Sequence, residues 1–330
     1  MQSVYASNAS FFSSPPNLSG SISVHAADPV GTQNEAPLAL ITGTKTDLGY
    51  SYGLALDASG RIYVCANTSS LTGPSSAIFM YAAHPHGTLN EAPLATIAGT
   101  NTGLSAGPYQ SCSIALDASG MIYAVGTFIT DSTRAYNSIN VYPANPSGTL
   151  NEAPSAMIVG SKTGLHLPNG VTLDANGKIY VTNDNPDSIT VYAANPSGVI
   201  NEAPLATIAG SNTGLDDPSG IALDAAGRIY VVNDNPLGNA PAPSITVYPA
   251  NPSGTLNEAP IATITGSATT LTHGACNSIA LDAAGRIYVA NASSITVFAA
   301  NPTGTRNEAP IGAISGSNTD LGAPVGIAIR

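Results

Sequence analysis

Residues 219–266 read SGIALDAAGRIYVVNDNPLGNAPAPSITVYPANPSGTLNEAPIATITG. Four short runs stand out in this stretch: GIALD, RIYVV, SITVY and PIATITG. Each alternates along its length and is bounded by Gly, Pro, Asn or Asp, the pattern of a β-strand between turns. No run carries the 3.6-residue apolar stripe of a helix. The tetrapeptide NEAP inside the stretch recurs, starting at Asn34, Asn90, Asn151, Asn201, Asn257 and Asn307, at intervals of 50 to 61 residues. Four strands in a repeat of that length are the signature of a β-propeller blade. The expected fold is therefore all-β, a single six-bladed propeller over residues 1–330 with four antiparallel strands per blade.

The two ends of the sequence support ring closure. It stops in APVGIAIR, which matches the first strand of a unit, and begins in SVYASNASFFSSPPNLSGSISVHAA, which matches the second and third. One blade is thus expected to be shared between the termini, which removes open sheet edges. Because Arg330 falls inside the repeat, the chain could continue past it.

Composition narrows the function classes. Charged residues are only 9% of the chain, hydrophobic ones 43%, and the net charge is −11. So acidic a chain lacks the basic face that nucleic acid or an anionic membrane requires. No apolar run reaches the ~18 residues needed to cross a bilayer. Abundant small polar residues with little Lys lead us to expect a secreted or periplasmic, envelope-associated protein whose leader lies outside this sequence. It would act as a monomer or as a module of a larger surface protein. The three cysteines, Cys65, Cys112 and Cys276, are an odd number, from which no disulfide framework is expected.

The stretch PSGIALDAAGRIYVVNDN resembles the NHL repeat, whose blades carry P-x-G-[IV]-A-[VL]-D-x-x-G-x-[IV]-Y-V-x-D. The likeness runs through every blade and implies a six-bladed NHL-type propeller. That family includes sensors, interaction modules, lactonases and lyases, so it does not fix a function. Where the family has Asp after the second strand, this chain has Asn8, Asn183, Asn233 and Asn291. The amidating lyases of the family use a His-bound zinc, and gluconolactonase-type propellers bind a divalent metal through a Glu at the axial mouth. Neither pattern is met here, because only His166 and His273 fall on the matching face and every Glu of the chain belongs to NEAP.

NEAP itself reads as fold hardware on the bottom face, with the Pro starting strand four. Six equivalent carboxylates do not make the unique acid–base pair that catalysis needs. Subtracting the repeat leaves Tyr50, Tyr52, Tyr109 and Tyr136 in the loops that enter strand one or join strands two and three. Those loops share one face, and loops that break a repeat are where function is grafted. Asn169, Ser219 and Asn277 would line the axial mouth on that face. Together with the tyrosines they form the expected site for a small molecule, glycan or peptide. A second arc of the same face carries Asp184, Asp187, Asp216, Asp217 and Asp234, an expected Ca2+ set with Asp184, Asp216, Asp217 and Asp234 at its centre. The alternative is a metal-dependent or acid/base hydrolase or lyase at the mouth, with His166 or His273 as the catalytic candidates. No nucleophile elbow, phosphate loop or zincin motif is present.

Overall fold

The computed structural model describes residues 2–9, 20–68, 76–104, 112–131, 134–235 and 242–330. Six sheets form a ring, with no helix among the described residues beyond one 3-10 turn at Ser267–Thr269. We number the blades by their innermost strands: Leu48–Leu56, Cys112–Leu116, Pro168–Leu173, Pro218–Leu223, Cys276–Leu281 and Pro324–Ile329. In blade four the second, third and fourth strands are Ile229–Asn233, Ser244–Tyr248 and Ala262–Thr265, all antiparallel. Blade six is the shared one, its innermost strand pairing with Ser3–Asn8 in the register Val4↔Ile329 and Tyr5↔Ala328.

The repeat's polar residues build its turns. Asp224 opens the first hairpin of blade four, and its Oδ1 accepts from the Ala226 and Arg228 amides, both at 2.9 Å. Gly227 takes φ +81 to complete that turn, a conformation that strains any residue with a Cβ. Arg228 Nε closes on Asp224 Oδ2 at 2.6 Å, and its guanidinium reaches Asn301 of the next blade's linker. These aspartates are structural, as their recurrence suggests.

Six buried clusters each combine one blade with its neighbour, so the core lies between blades. One joins Tyr230, Val232, Ile245 and Val247 of blade four to Ile279, Ile287, Val289 and Phe298 of blade five. The third-strand tyrosines span the wide outer wedge between blades, where their hydroxyls donate to buried carbonyls. Tyr142 reaches Thr102 at 2.6 Å, Tyr192 reaches Thr163 at 2.9 Å and Tyr248 reaches Thr213 at 2.8 Å. A bond of this kind contributes about 0.5–1.5 kcal/mol net, and leaving the carbonyl unpaired would cost more.

Each four-stranded blade also gains a fifth, parallel strand from the linker of the blade that follows. Gly254–Leu256 of blade four's linker pairs with the fourth strand of blade three, and Gly304–Arg306 pairs with that of blade four. NEAP comes next in the chain, and its place differs from the expected bottom face. Asn257 Oδ1 accepts the Asn212 amide of the preceding blade's four-to-one turn at 2.9 Å. Asn34, Asn90, Asn151, Asn201 and Asn307 repeat that contact. A Cβ on Gly210, which has φ +115, would lie 2.6 Å from the Asn257 carboxamide, so glycine is required where the Asn docks. The motif is therefore an inter-blade clamp on the outer rim. Of its glutamates, Glu308 approaches Arg306 at 3.5 Å and the other five are exposed.

The expectation of no disulfide is overturned. Cys65, on the second strand of blade one, is bonded to Cys112, on the first strand of blade two, and both are buried. The odd cysteine is Cys276, free and buried, with its thiol pushed up to about 12 by burial and by Asp234. Spacing could not show the pairing because the two residues, 47 apart in sequence, meet only across a blade interface.

Candidate functional site

The first strands run downward from the four-to-one loops, so their opening residues ring one mouth and their last residues lie deep. They enclose an axial cavity of about 490 Å3. Around the mouth stand Tyr52, Asn169, Ser219 and Asn277, and with them Asp184, Asp217 and Asp234. The shaft below stays open because the Ala of G-I-A-L-D recurs on its wall as Ala55, Ala115, Ala222, Ala280 and Ala328, with Thr172 in blade three. Leu56, Leu116, Leu223, Leu281 and Ile329 line the deep end. The cavity is therefore graded, polar and acidic at the top and aliphatic at the bottom.

Of the residues expected to bind ligand, Tyr52, Asn169, Ser219 and Asn277 line this cavity. Tyr50 and Tyr52 lie within the extended first strand of blade one, and Tyr136 lies within the third strand of blade two, Arg134–Tyr142, rather than in loops. Tyr50 packs on Tyr52 with ring centroids 4.9 Å apart and stands behind it, away from the cavity wall. Burial pushes the Tyr50 hydroxyl up to about 12 and raises that of Tyr52, which accepts from Asn67 Nδ2 at 3.3 Å. Both phenols are thus neutral hydrogen-bonding groups at physiological pH. Tyr136 is exposed and away from the shaft, and Tyr109 lies outside the described residues.

The acidic arc gathers differently from the expected set. Carboxylate oxygens of Asp184, Asp187 and Asp217 lie within 4.8 Å of one another, close enough to hold a divalent cation. Asp184 ends the second strand of blade three and Asp187 starts the third, so a two-residue turn carries both. Asp217, with φ +48, leads into blade four. Asp216 and Asp234 are not part of the trio. Asp216 Oδ2 accepts from Asn235 Nδ2 at 2.8 Å, and Asp234 Oδ1 accepts the Ala275 and Cys276 amides at 2.9 and 2.8 Å, tying blade four to blade five.

Crowding like charges raises their proton affinity. Asp217 is pushed up to about 6, first by its hydrogen bond to Asp184 and then by burial. Asp187 also reaches about 6, through burial first and then the charges of Asp217 and Asp216. Burial likewise raises Asp234, against the backbone donors that lower it. Near pH 6 Asp187 and Asp217 therefore exchange between protonated and ionised forms.

His166 and His273 are both exposed and neither lines the cavity. His273 Nδ1–H donates to the Asn235 carbonyl at 2.9 Å, an acceptor that fixes the tautomer in which Nδ1 bears the proton. The Asn residues at the end of the second strands have a double duty. Asn233 Nδ2 donates to Ser244 and Thr246 Oγ at 3.1 Å, while its Oδ1 accepts the Asp216 amide at 3.2 Å. Asn183 does the same with Thr190 and the His166 amide. An ionised Asp could only accept. These asparagines hold the loops that carry the acidic arc.

Three solved structures are similar to this chain. A protein of unknown function from Bacteroides caccae has a TM-score of 0.60 at 9% identity, covering 99% of this chain and 98% of that one. The PQQ-bound aldose sugar dehydrogenase from Streptomyces coelicolor has a TM-score of 0.50 at 14% identity, covering 96% and 100%. A streptogramin B lyase reaches 0.41 at 13% identity, over 78% of this chain and 67% of the other. At such identities the likeness shows the six-bladed fold and nothing finer. No family model and no curated protein matches the chain.

Proposed function

We propose that the protein is an NHL-type binding propeller, secreted or held in the cell envelope, that takes a small organic molecule into its axial cavity. The observation that carries this reading is the 490 Å3 shaft, kept open by small residues in every blade and rimmed by side chains that break the repeat. That volume falls in the range of small-molecule sites, and a central shaft of this size suits such a ligand better than a glycan or an extended peptide. The buried Cys65–Cys112 bond supports an oxidising compartment. The P-x-G-I-A-L-D register of the first strands supports the NHL reading.

A small-molecule library screened by thermal shift, followed by calorimetry of the hits, tests this function. Ala222→Leu places a larger side chain in the shaft, and Tyr52→Ala removes the aromatic part of the rim. Hits should lose at least tenfold in affinity to the first variant and severalfold to the second. If every hit bound both folded variants as tightly as the parent, the cavity would not be the site.

One observation favours an enzymatic reading. Asp217, hydrogen-bonded to Asp184 at the mouth, is pushed up to about 6, an arrangement able to deliver or accept a proton in acid/base hydrolysis or elimination. This reading expects turnover of a bound hit that Asp217→Asn abolishes while binding persists.

A further inference from the structure

We propose that the ligand of the axial cavity is an organic cation with an apolar body, its charged head in the Asp184–Asp217–Asp234 sector and its body in the aliphatic shaft. This inference rests on the cavity being the binding site. Three charged residues line the cavity, all of them aspartate, and no Lys, Arg or His lines it among the described residues. Four of the chain's nine Lys and Arg side chains are held by other partners. Arg61, Arg228 and Arg286 pair with Asp57, Asp224 and Asp282 in the turns below the deep end, and Arg330 donates to the Ala58 carbonyl.

Two further features select an amphiphile over a bare ion. At the deep end Leu56, Leu116, Leu223, Leu281 and Ile329 offer neither donors nor charges from their side chains. A hydrated metal ion makes no use of such a wall, whereas burying an apolar body there gains roughly 25 cal/mol per Å2. Tyr52, in blade one, stands across the ring from blade four, which carries Asp217 and Asp234. An aromatic face opposite a group of carboxylates is the surrounding that an ammonium group favours. The carboxylates crowd one another with no Lys, Arg or His beside them among the described lining residues, and a bound ammonium would relieve that repulsion. An anionic ligand would add to it.

Calorimetry in EGTA-containing buffer with three probes of matched size tests the assignment: 2-phenylethylamine, 2-phenylethanol and 3-phenylpropanoate. At pH 7.5 the amine should bind at least tenfold more tightly than the alcohol, with the carboxylate the weakest. The amine's advantage should shrink to threefold or less in Asp217→Asn combined with Asp234→Asn, and also in the parent protein at pH 5. Circular dichroism and the melting temperature confirm that the variant is folded. Equal or tighter binding of the alcohol or the carboxylate would overturn the cationic assignment while leaving the cavity as a binding site. Stabilisation by Ca2+ without amine binding would also overturn it, as would no binding of any probe. The function itself is judged separately, by the library hits and Ala222→Leu.

Discussion

His25 should make the propeller sensitive to acid, and a single substitution should remove that sensitivity. It lies on the third strand of blade six, Ser21–Ala26, at the position that holds Tyr81, Tyr142, Tyr192 and Tyr248 in other blades. Its side chain is 4% exposed, and its Nε2 meets Ser23 Oγ at 3.0 Å. Burial lowers its pKa from 6.5 to about 4, since a charged imidazolium there would lose its hydration. The unfolded chain therefore takes up a proton below pH 6.5, while the folded chain resists until about pH 4. Between those values the unfolded state binds more protons, so stability is full above pH 6.5 and is lost as pH falls. Linkage puts the loss at about 2–2.5 kcal/mol between pH 7.5 and 4.5. Urea unfolding of the parent and of His25→Tyr at both pH values isolates this term, because all other titrating groups are common to the two proteins. The variant should lose about 2 kcal/mol less on acidification. At pH 7.5 it should match or exceed the parent if the new hydroxyl finds a carbonyl, as in the other blades, worth about 1 kcal/mol. An equal acid-induced loss in both proteins would refute the reasoning.

Reduction of Cys65–Cys112, or its replacement by two alanines, should cost about 2–4 kcal/mol, because the bond closes a 47-residue loop; melting with and without dithiothreitol measures it, and unchanged melting would show that blades one and two need no staple. Asp217→Asn should stabilise the protein at pH 7.5 by about 1 kcal/mol, a figure reduced for solvent screening, and by almost nothing at pH 4. The sign follows from a folded pKa of about 6, above the unfolded 3.8, which makes the ionised carboxylate a cost that appears as pH rises; a stability gain independent of pH would count against the raised proton affinity of Asp217. Within one NEAP copy, Asn257→Ala should cost about 1 kcal/mol through the lost contact to the Asn212 amide, whereas Glu258→Ala should stay within about 0.5 kcal/mol of the parent. Thermal melts of the two variants decide whether the Asn or the Glu carries the motif.

The division between what could be read early and what could not follows from the distance over which each feature is specified. Strand runs and the D-A-x-G hairpins are set by residues within a few positions of one another, and the split blade follows from matching the two ends to the same unit. The repeat printed the strand runs six times and the D-A-x-G turn five times, and the blade count followed. The rim could also be placed, because Asn169, Ser219 and Asn277 occupy the variable position at the top of the first strand. Tyr50, placed in a loop by its sequence, packs behind Tyr52 because the first strand of blade one starts earlier than in other blades. The acidic arc was visible as a list of aspartates without its grouping. Asp187 joins Asp184 and Asp217 only because the strands of blade three and the entry to blade four converge at the mouth.

By itself the sequence determined an all-β ring of six blades, one of them shared between the termini, since alternation, turn residues and a 50-residue period are local properties that the backbone must obey. Tertiary structure alone decided what happens between blades. It placed the NEAP asparagine on its neighbour's turn, added the fifth strand, paired Cys65 with Cys112 and left an aliphatic shaft under an acidic rim. The physical reason is that closing the ring sets the angle and register of one blade against the next, and the groups brought together there come from repeats about 50 residues apart.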